Sequence, residues 1–166
     1  AARTQPGQKE IKRVVCEMGG KNAMIIDEDA DPDAALKGIM QSAFGYAGQK
    51  CSACSRLILV GSIYDPLLER LLEACRSLPM AAATDPGCRL GPVIDRTAHE
   101  RLEALLDQPP AGARLLFRGN APDTGLFIPP AVFAVSEADN PMMQLEFFGP
   151  VLTVMHADDF QSALDT

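Results

Sequence analysis

The run Gly48-Gln49-Lys50-Cys51-Ser52-Ala53-Cys54-Ser55-Arg56 places a thiol where a nucleophile could work. A structural cysteine normally sits among apolar neighbours, whereas Cys51 follows a polar, glycine-opened turn and is flanked by a cation and a hydroxyl. Backbone N–H groups and one ammonium near the sulfur favour thiolate over thiol, and the thiolate is the reactive form. Free cysteine titrates at about 8.5, so a modest downward shift makes the anion a large species near neutrality. Addition to an electrophilic carbon such as a carbonyl is the chemistry this suits. Such a reaction also needs a base, and Glu17, just ahead of Gly19-Gly20, sits where a turn can aim a carboxylate at a neighbouring loop. By spacing alone Glu17 reads better as a surface glutamate at a strand end than as a base. Glu146 and Phe148 likewise read as a carboxylate and a core aromatic before a Gly-Pro turn.

Cys51 and Cys54 also form a C-x-x-C pair, which a redox or metal-binding module would use. Zinc would call for a second pair or histidines at ligand spacing. His99 and His156, the only histidines, are distant and isolated. Five cysteines is an odd number without the density of a disulfide scaffold, which points to a reducing, cytoplasmic compartment. Met24, Met40, Met80, Met142 and Met143 read as core filling.

The elements that must position these residues follow from the patterning. Ile11 to Cys16 mixes apolar and basic residues as a short strand does, and Ala23 to Ile26 reads as a strand buried on both faces. Asp31 as N-cap with Pro32 behind it starts a helix, with Leu36, Ile39, Met40, Ala43 and Ala47 on its inner face. Gly45 and Gly48 end that helix and deliver Cys51 on a loop. Arg56 to Val60 is a strand. Ser62, with Asp65 three residues on, caps a helix whose Leu67, Leu68, Leu71, Leu72 and Cys75 face inward. Asp95 caps a third helix carrying Leu102, Leu105 and Leu106. Short strands are expected at Leu115–Phe117, from Phe127 to Val135, and at Val151–Met155, with a final helix from Asp159. Strands alternating with helices give an α/β fold, a mostly parallel sheet flanked by helices.

Length and charge narrow the function. At 166 residues the chain is of single-domain size and long enough for a real core. Hydrophobic content of 47% and charged content of 22% are globular. A net charge of −7 speaks against nucleic-acid phosphates and anionic membranes as partners. No apolar run reaches the roughly 20 residues of a spanning helix. No G-x-G-x-x-G phosphate loop is present, so the chain does not read as a dinucleotide-binding domain by itself. Ala1 to Gln5 reads as if cut from something longer.

Three motifs in order, Cys16-Glu17-Met18-Gly19-Gly20-Lys21-Asn22, the Cys51 run, and Gln144-Leu145-Glu146-Phe147-Phe148-Gly149-Pro150, resemble the aldehyde dehydrogenase superfamily. The Cys51 run is most similar to its pyrroline-carboxylate (glutamate semialdehyde) branch. The resemblance implies a catalytic thiol domain, residues 1–166, without the preceding NAD-binding domain and the C-terminal segment. It implies Cys51 as nucleophile and Glu17 as general base, whose burial would bring its proton affinity toward the working pH. It implies Glu146 and Phe148 as binders of the nicotinamide ribose, and Lys50 and Ser52 as binders of a substrate α-carboxylate. A diol meets two acceptor oxygens at a carboxylate, and a carboxylate meets a cation and a hydroxyl donor, so the chemistry is apt. Lys50 would also favour the Cys51 thiolate. The side-chain amide that completes the family's oxyanion hole would lie before residue 1. The implied activity is oxidation of glutamate γ-semialdehyde to glutamate in proline catabolism, with NAD as cofactor, a small-molecule aldehyde as partner and a homo-oligomeric parent, bifunctional or not. A different acyl specificity within the family, the C-x-x-C module and a non-catalytic remnant remain open.

Overall fold

Asp31 turns the chain into its first helix: the carboxylate accepts from the backbone N–H of Asp33 and Ala34 at 2.8 and 3.2 Å, and Pro32 follows at the first helical position. In this computed structural model, which describes residue 3 and residues 5–166, that helix is α1 (Pro32–Phe44). It links β1 (Asn22–Ile26) to β2 (Cys54–Val60), which pair in parallel. Then come α2 (Tyr64–Arg76), α3 (Arg96–Asp107), β3 (Arg114–Arg118), β4 (Ala131–Ala134), α4 (Pro141–Gln144), β5 (Val151–Ala157) and α5 (Phe160–Leu164). The opening residues Ala1, Ala2 and Thr4, part of the stretch that reads as cut from a longer protein, lie outside the described residues.

Among the described residues the sheet runs β1-β2-β5-β4-β3, parallel except for the antiparallel β3–β4 pair. β2 lies inside the sheet and is apolar on both faces, so alternation sends its side chains to two cores. Leu57 and Leu59 pack with Ile39, Phe44, Leu67 and Leu71 from α1 and α2. Ile58 and Val60 pack with Leu102 and Leu106 of α3, Met142 and Met143 of α4, and Ala163 of α5. The result is the expected mostly parallel sheet flanked by helices.

Several expectations are corrected. Ile11 to Cys16 is not a strand: the run is irregular, with Ile11 and Val15 89% and 88% exposed. A strand needs a partner for its N–H and C=O groups, and this run does not join the free edge of β1. β1 is an edge strand in which only Ile26 is buried, so it is not covered on both faces. Ser62 does not cap α2. Gly61–Ile63 forms a 3₁₀ turn, Ile63 takes the cap position, and the Ser62 hydroxyl donates instead to Glu28 at 3.4 Å. The strand expected from Phe127 begins only at Ala131, because Pro129 and Pro130 have no N–H to give a ladder. The short helix α4 was not expected. Its signal was present in Asn140-Pro141, the same cap-plus-proline pairing that starts α1.

Candidate active site

Three loops meet at one edge of the sheet because the strands they precede are parallel neighbours. The irregular run through Gly19-Gly20 leads into β1, the Cys51 turn into β2 and the run from Glu146 to Pro150 into β5. Each loop therefore opens at the amino end of its strand, and the three ends lie side by side.

Cys51 is exposed on a turn closed by the Ala53 N–H donating to the Lys50 carbonyl at 3.0 Å. The bend before it is unusual: Tyr46, Ala47 and Gly48 take φ of 60°, 55° and 65°. Two non-glycine residues in the left-handed region are costly and persist only where surroundings over-determine them. Part of that surrounding is visible. A Cβ on Gly48 would overlap the Gly149 carbonyl, so the thiol loop and the Glu146 loop touch backbone to backbone. Gln49 ties the same bend to the start of α3, its side-chain oxygen accepting from the Ile94 N–H at 2.9 Å.

Glu146 follows α4, which is anchored in the core. Asn140 accepts from the Met142 N–H at 2.9 Å and donates to the Ala111 carbonyl at 2.9 Å, while Thr153 of β5 donates to the Met142 carbonyl at 3.1 Å. Glu146 itself is exposed, and its carboxylate lies so close to Gly19 that a Cβ there would overlap Oε2. Phe148 is 40% exposed and takes φ 49°, a further non-glycine residue in the left-handed region. Glu146, Phe148, Lys50 and Gly20 line one narrow cleft. Lys50 and Ser52 are exposed beside Cys51.

Glu17 stands two residues before Gly19, hence within about 7 Å of it along the backbone. It lies on the irregular run before β1 and is exposed, so the expected burial is missing from this chain.

Cys54 differs sharply from Cys51. It is 4% exposed, its thiol donates to the Arg56 carbonyl at 3.3 Å, and burial pushes it up to about 11. A protonated, enclosed thiol is a poor redox partner or metal ligand. Among the described residues no three His, Cys, Asp or Glu side chains converge as a metal site.

Two neighbours of the site carried no assignment from sequence. Lys21 has its Nζ buried without a hydrogen-bond partner, 4.6 Å above the Phe147 ring. Burial, then the charge of Arg56, lowers it to about 8, against a smaller opposing pull from Cys54 and Glu146. Asn22 donates its amide to the Cys51 carbonyl at 2.6 Å and to that of Ala53 at 3.3 Å. A lysine between a glycine turn and an apolar strand was the available signal, since a charge there must be desolvated or paired.

Comparison with known proteins completes the picture. The model of the aldehyde dehydrogenase family matches residues 2–166. A 1-pyrroline-5-carboxylate dehydrogenase of Geobacillus thermodenitrificans is 42% identical over 99% of this chain and 32% of its own length. A solved 1-pyrroline-5-carboxylate dehydrogenase from Thermus with bound NAD superposes with a TM-score of 0.88 at 40% identity, over 99% of this chain and 32% of that one. Proline utilization A from Bdellovibrio bacteriovorus superposes at 0.92 with 44% identity, over 99% of this chain and 17% of that one. The chain thus spans about a third of the length of the curated relatives it matches.

Proposed function

The chain belongs to the aldehyde dehydrogenase family, and from that premise we propose that it is the thiol-bearing part of a longer NAD-dependent enzyme that oxidises glutamate γ-semialdehyde to glutamate. The observation that carries this reading is the meeting of the Cys51 turn, the irregular Gly19-Gly20 run behind Glu17 and the Glu146–Phe148 loop at neighbouring strand ends. The relatives named 1-pyrroline-5-carboxylate dehydrogenase supply the substrate class. Exposed Lys50 and Ser52 beside the thiol offer a cation and a hydroxyl for the α-carboxylate of such a substrate.

In this reading the Cys51 thiolate adds to the aldehyde carbon, and the carbonyl oxygen takes up the negative charge as a thiohemiacetal. The Cys51 backbone N–H is one donor available to that oxygen. NAD, when bound, supplies the hydride acceptor that converts the thiohemiacetal to a thioester. Glu17 then takes a proton from water, the hydroxide attacks the thioester carbon, and the C–S bond breaks to return the thiolate and release the acid. For the cofactor, the exposed Glu146 carboxylate and half-exposed Phe148 ring stand at a cleft too narrow to take a sugar inside it, so a ribose would lie across its mouth, Glu146 accepting the diol and Phe148 packing against the sugar. In the described residues no helix is long and apolar enough to cross a membrane. Five unpaired cysteines favour a reducing, cytoplasmic setting.

The test compares the full-length enzyme on glutamate γ-semialdehyde and on simple aliphatic aldehydes, with Cys51→Ser alongside. A preference for the semialdehyde of on the order of a hundredfold in kcat/KM is expected, with no turnover from Cys51→Ser. Equal rates on aliphatic aldehydes would point to another acyl specificity, and an active Cys51→Ser would remove the mechanism.

A further inference from the structure

Between the glycine pair and β1 stand two side chains that no chemical step above uses. Extended backbone sends successive side chains to opposite sides, and Lys21 and Asn22 part in this way. Asn22 reaches the thiol turn, donating to the carbonyls of Cys51 and Ala53. Its own carbonyl accepts from Ser55 Oγ of β2 at 3.5 Å, just past the turn. Lys21 reaches the other loop, its ammonium over the Phe147 ring and within the field of Glu146.

An ammonium buried without a hydrogen-bond partner is expensive, and here it shares its surroundings with Arg56, whose Nε is also buried and unpaired. A purely packing role would be served better by methionine, which has a similar length and no charge. A cation at this place gains from the aromatic face it lies over and from the field of the carboxylate next to that ring in the same loop. We infer that Lys21 and Asn22 act as a pair of positioning residues, Asn22 fixing the Cys51 turn and Lys21 fixing the Glu146–Phe147 loop, so that thiol and ribose-binding carboxylate keep a set separation. This rests on the assignment of Cys51 and Glu146 above and adds two residues to it.

The two halves of the brace predict opposite kinetic signatures in the full-length enzyme. Lys21→Met is expected to raise KM for NAD on the order of tenfold and leave the alkylation rate of Cys51 by iodoacetamide unchanged, with Lys21→Arg restoring most of the loss. Asn22→Ala is expected to lower kcat and the Cys51 alkylation rate on the order of tenfold at unchanged KM for NAD. Asn22→Ser takes its place if the alanine variant does not fold. Variants that move all three readouts together, or none, overturn the pairing. Cys51→Ser measured in parallel separates the failures: full activity there removes the thiol assignment itself, whereas its inactivity beside unaltered Lys21 and Asn22 variants refutes the brace alone.

Discussion

At the scale of single residues, the contrast between Lys21 and the cysteines can be read by titration. Desolvation outweighs the attraction of the Phe147 ring and Glu146, since Lys21 is lowered from 10.5 to about 8. Between those values the unfolded chain holds more protons than the folded one, so stability rises with pH across that window and the full cost is present below pH 8. Lys21→Met should therefore stabilise the fold at pH 7 by about 1 kcal/mol once solvent screening is discounted, with the gain shrinking by pH 10. Thermal melts of the two proteins at both pH values check this, and a variant less stable at pH 7 would contradict it. Set beside the kinetic loss expected above, the same substitution would trade function for stability, as strained sites often do. The thiols sort just as clearly. Burial raises Cys54 to about 11 and Cys75 to about 12, while Cys16 and Cys51 are exposed. A thiol titration in native buffer at pH 8 should count Cys16 and Cys51 rapidly, the half-buried Cys88 more slowly because its thiol donates to the Ala81 carbonyl at 3.1 Å, and Cys54 and Cys75 only after denaturation. Rapid Cys51–Cys54 disulfide formation would revive the C-x-x-C alternative.

At the scale of elements, close approach decides which substitutions break the fold and which break only the site. Gly48→Ala places a Cβ against backbone at a left-handed position, and should cost about 2 kcal/mol or more in a denaturant melt. Gly19→Ala meets only the end of the Glu146 side chain, which can rotate away. It should fold with near-normal stability while displacing the Glu146 carboxylate, which under the proposed cofactor role would be seen as a raised KM for NAD in the full-length enzyme. Helix caps give a second contrast: Asp31→Ala should cost about 1 kcal/mol, and Ser62→Ala close to nothing, because only the first caps a helix. These cases show what was legible in the sequence. Asp31-Pro32, Asp95 and Asp159 each placed a helix start, since a side-chain cap acts within its own turn. The apolar runs of β2 and β5 placed the strands at the sheet centre. Ser62 and the run from Ile11 misled because their outcome depended on partners far along the chain, Glu28 for one and a missing strand neighbour for the other. The exposed turn that carries Cys51 was legible from its polar, glycine-opened run. The contacts of Asn22 and Lys21 were not, because they exist only once β1 lies beside β2 and the Glu146 loop arrives 125 residues later.

At the scale of the molecule, the order β1-β2-β5 is what brings the three candidate loops together. Open α/β sheets usually take ligands at the carboxyl ends of their strands. Here the three candidate loops sit at the amino ends, where the turns entering parallel neighbours converge. The chain covers about a third of its curated relatives, and it carries no glycine-rich phosphate loop of its own. The isolated 166 residues should therefore produce no measurable NADH from aldehyde, and appreciable turnover by them would refute the proposed division of labour. The most direct test of the central claim uses full-length enzyme bearing Glu17→Gln, mixed with glutamate γ-semialdehyde and NAD, quenched and mapped by mass spectrometry. With the thiol able to react but deacylation blocked, the account predicts about one equivalent of NADH in a burst and an acyl group retained on the peptide containing Cys51. An acyl group on a different cysteine, or steady turnover with an unmodified Cys51 peptide, would contradict it.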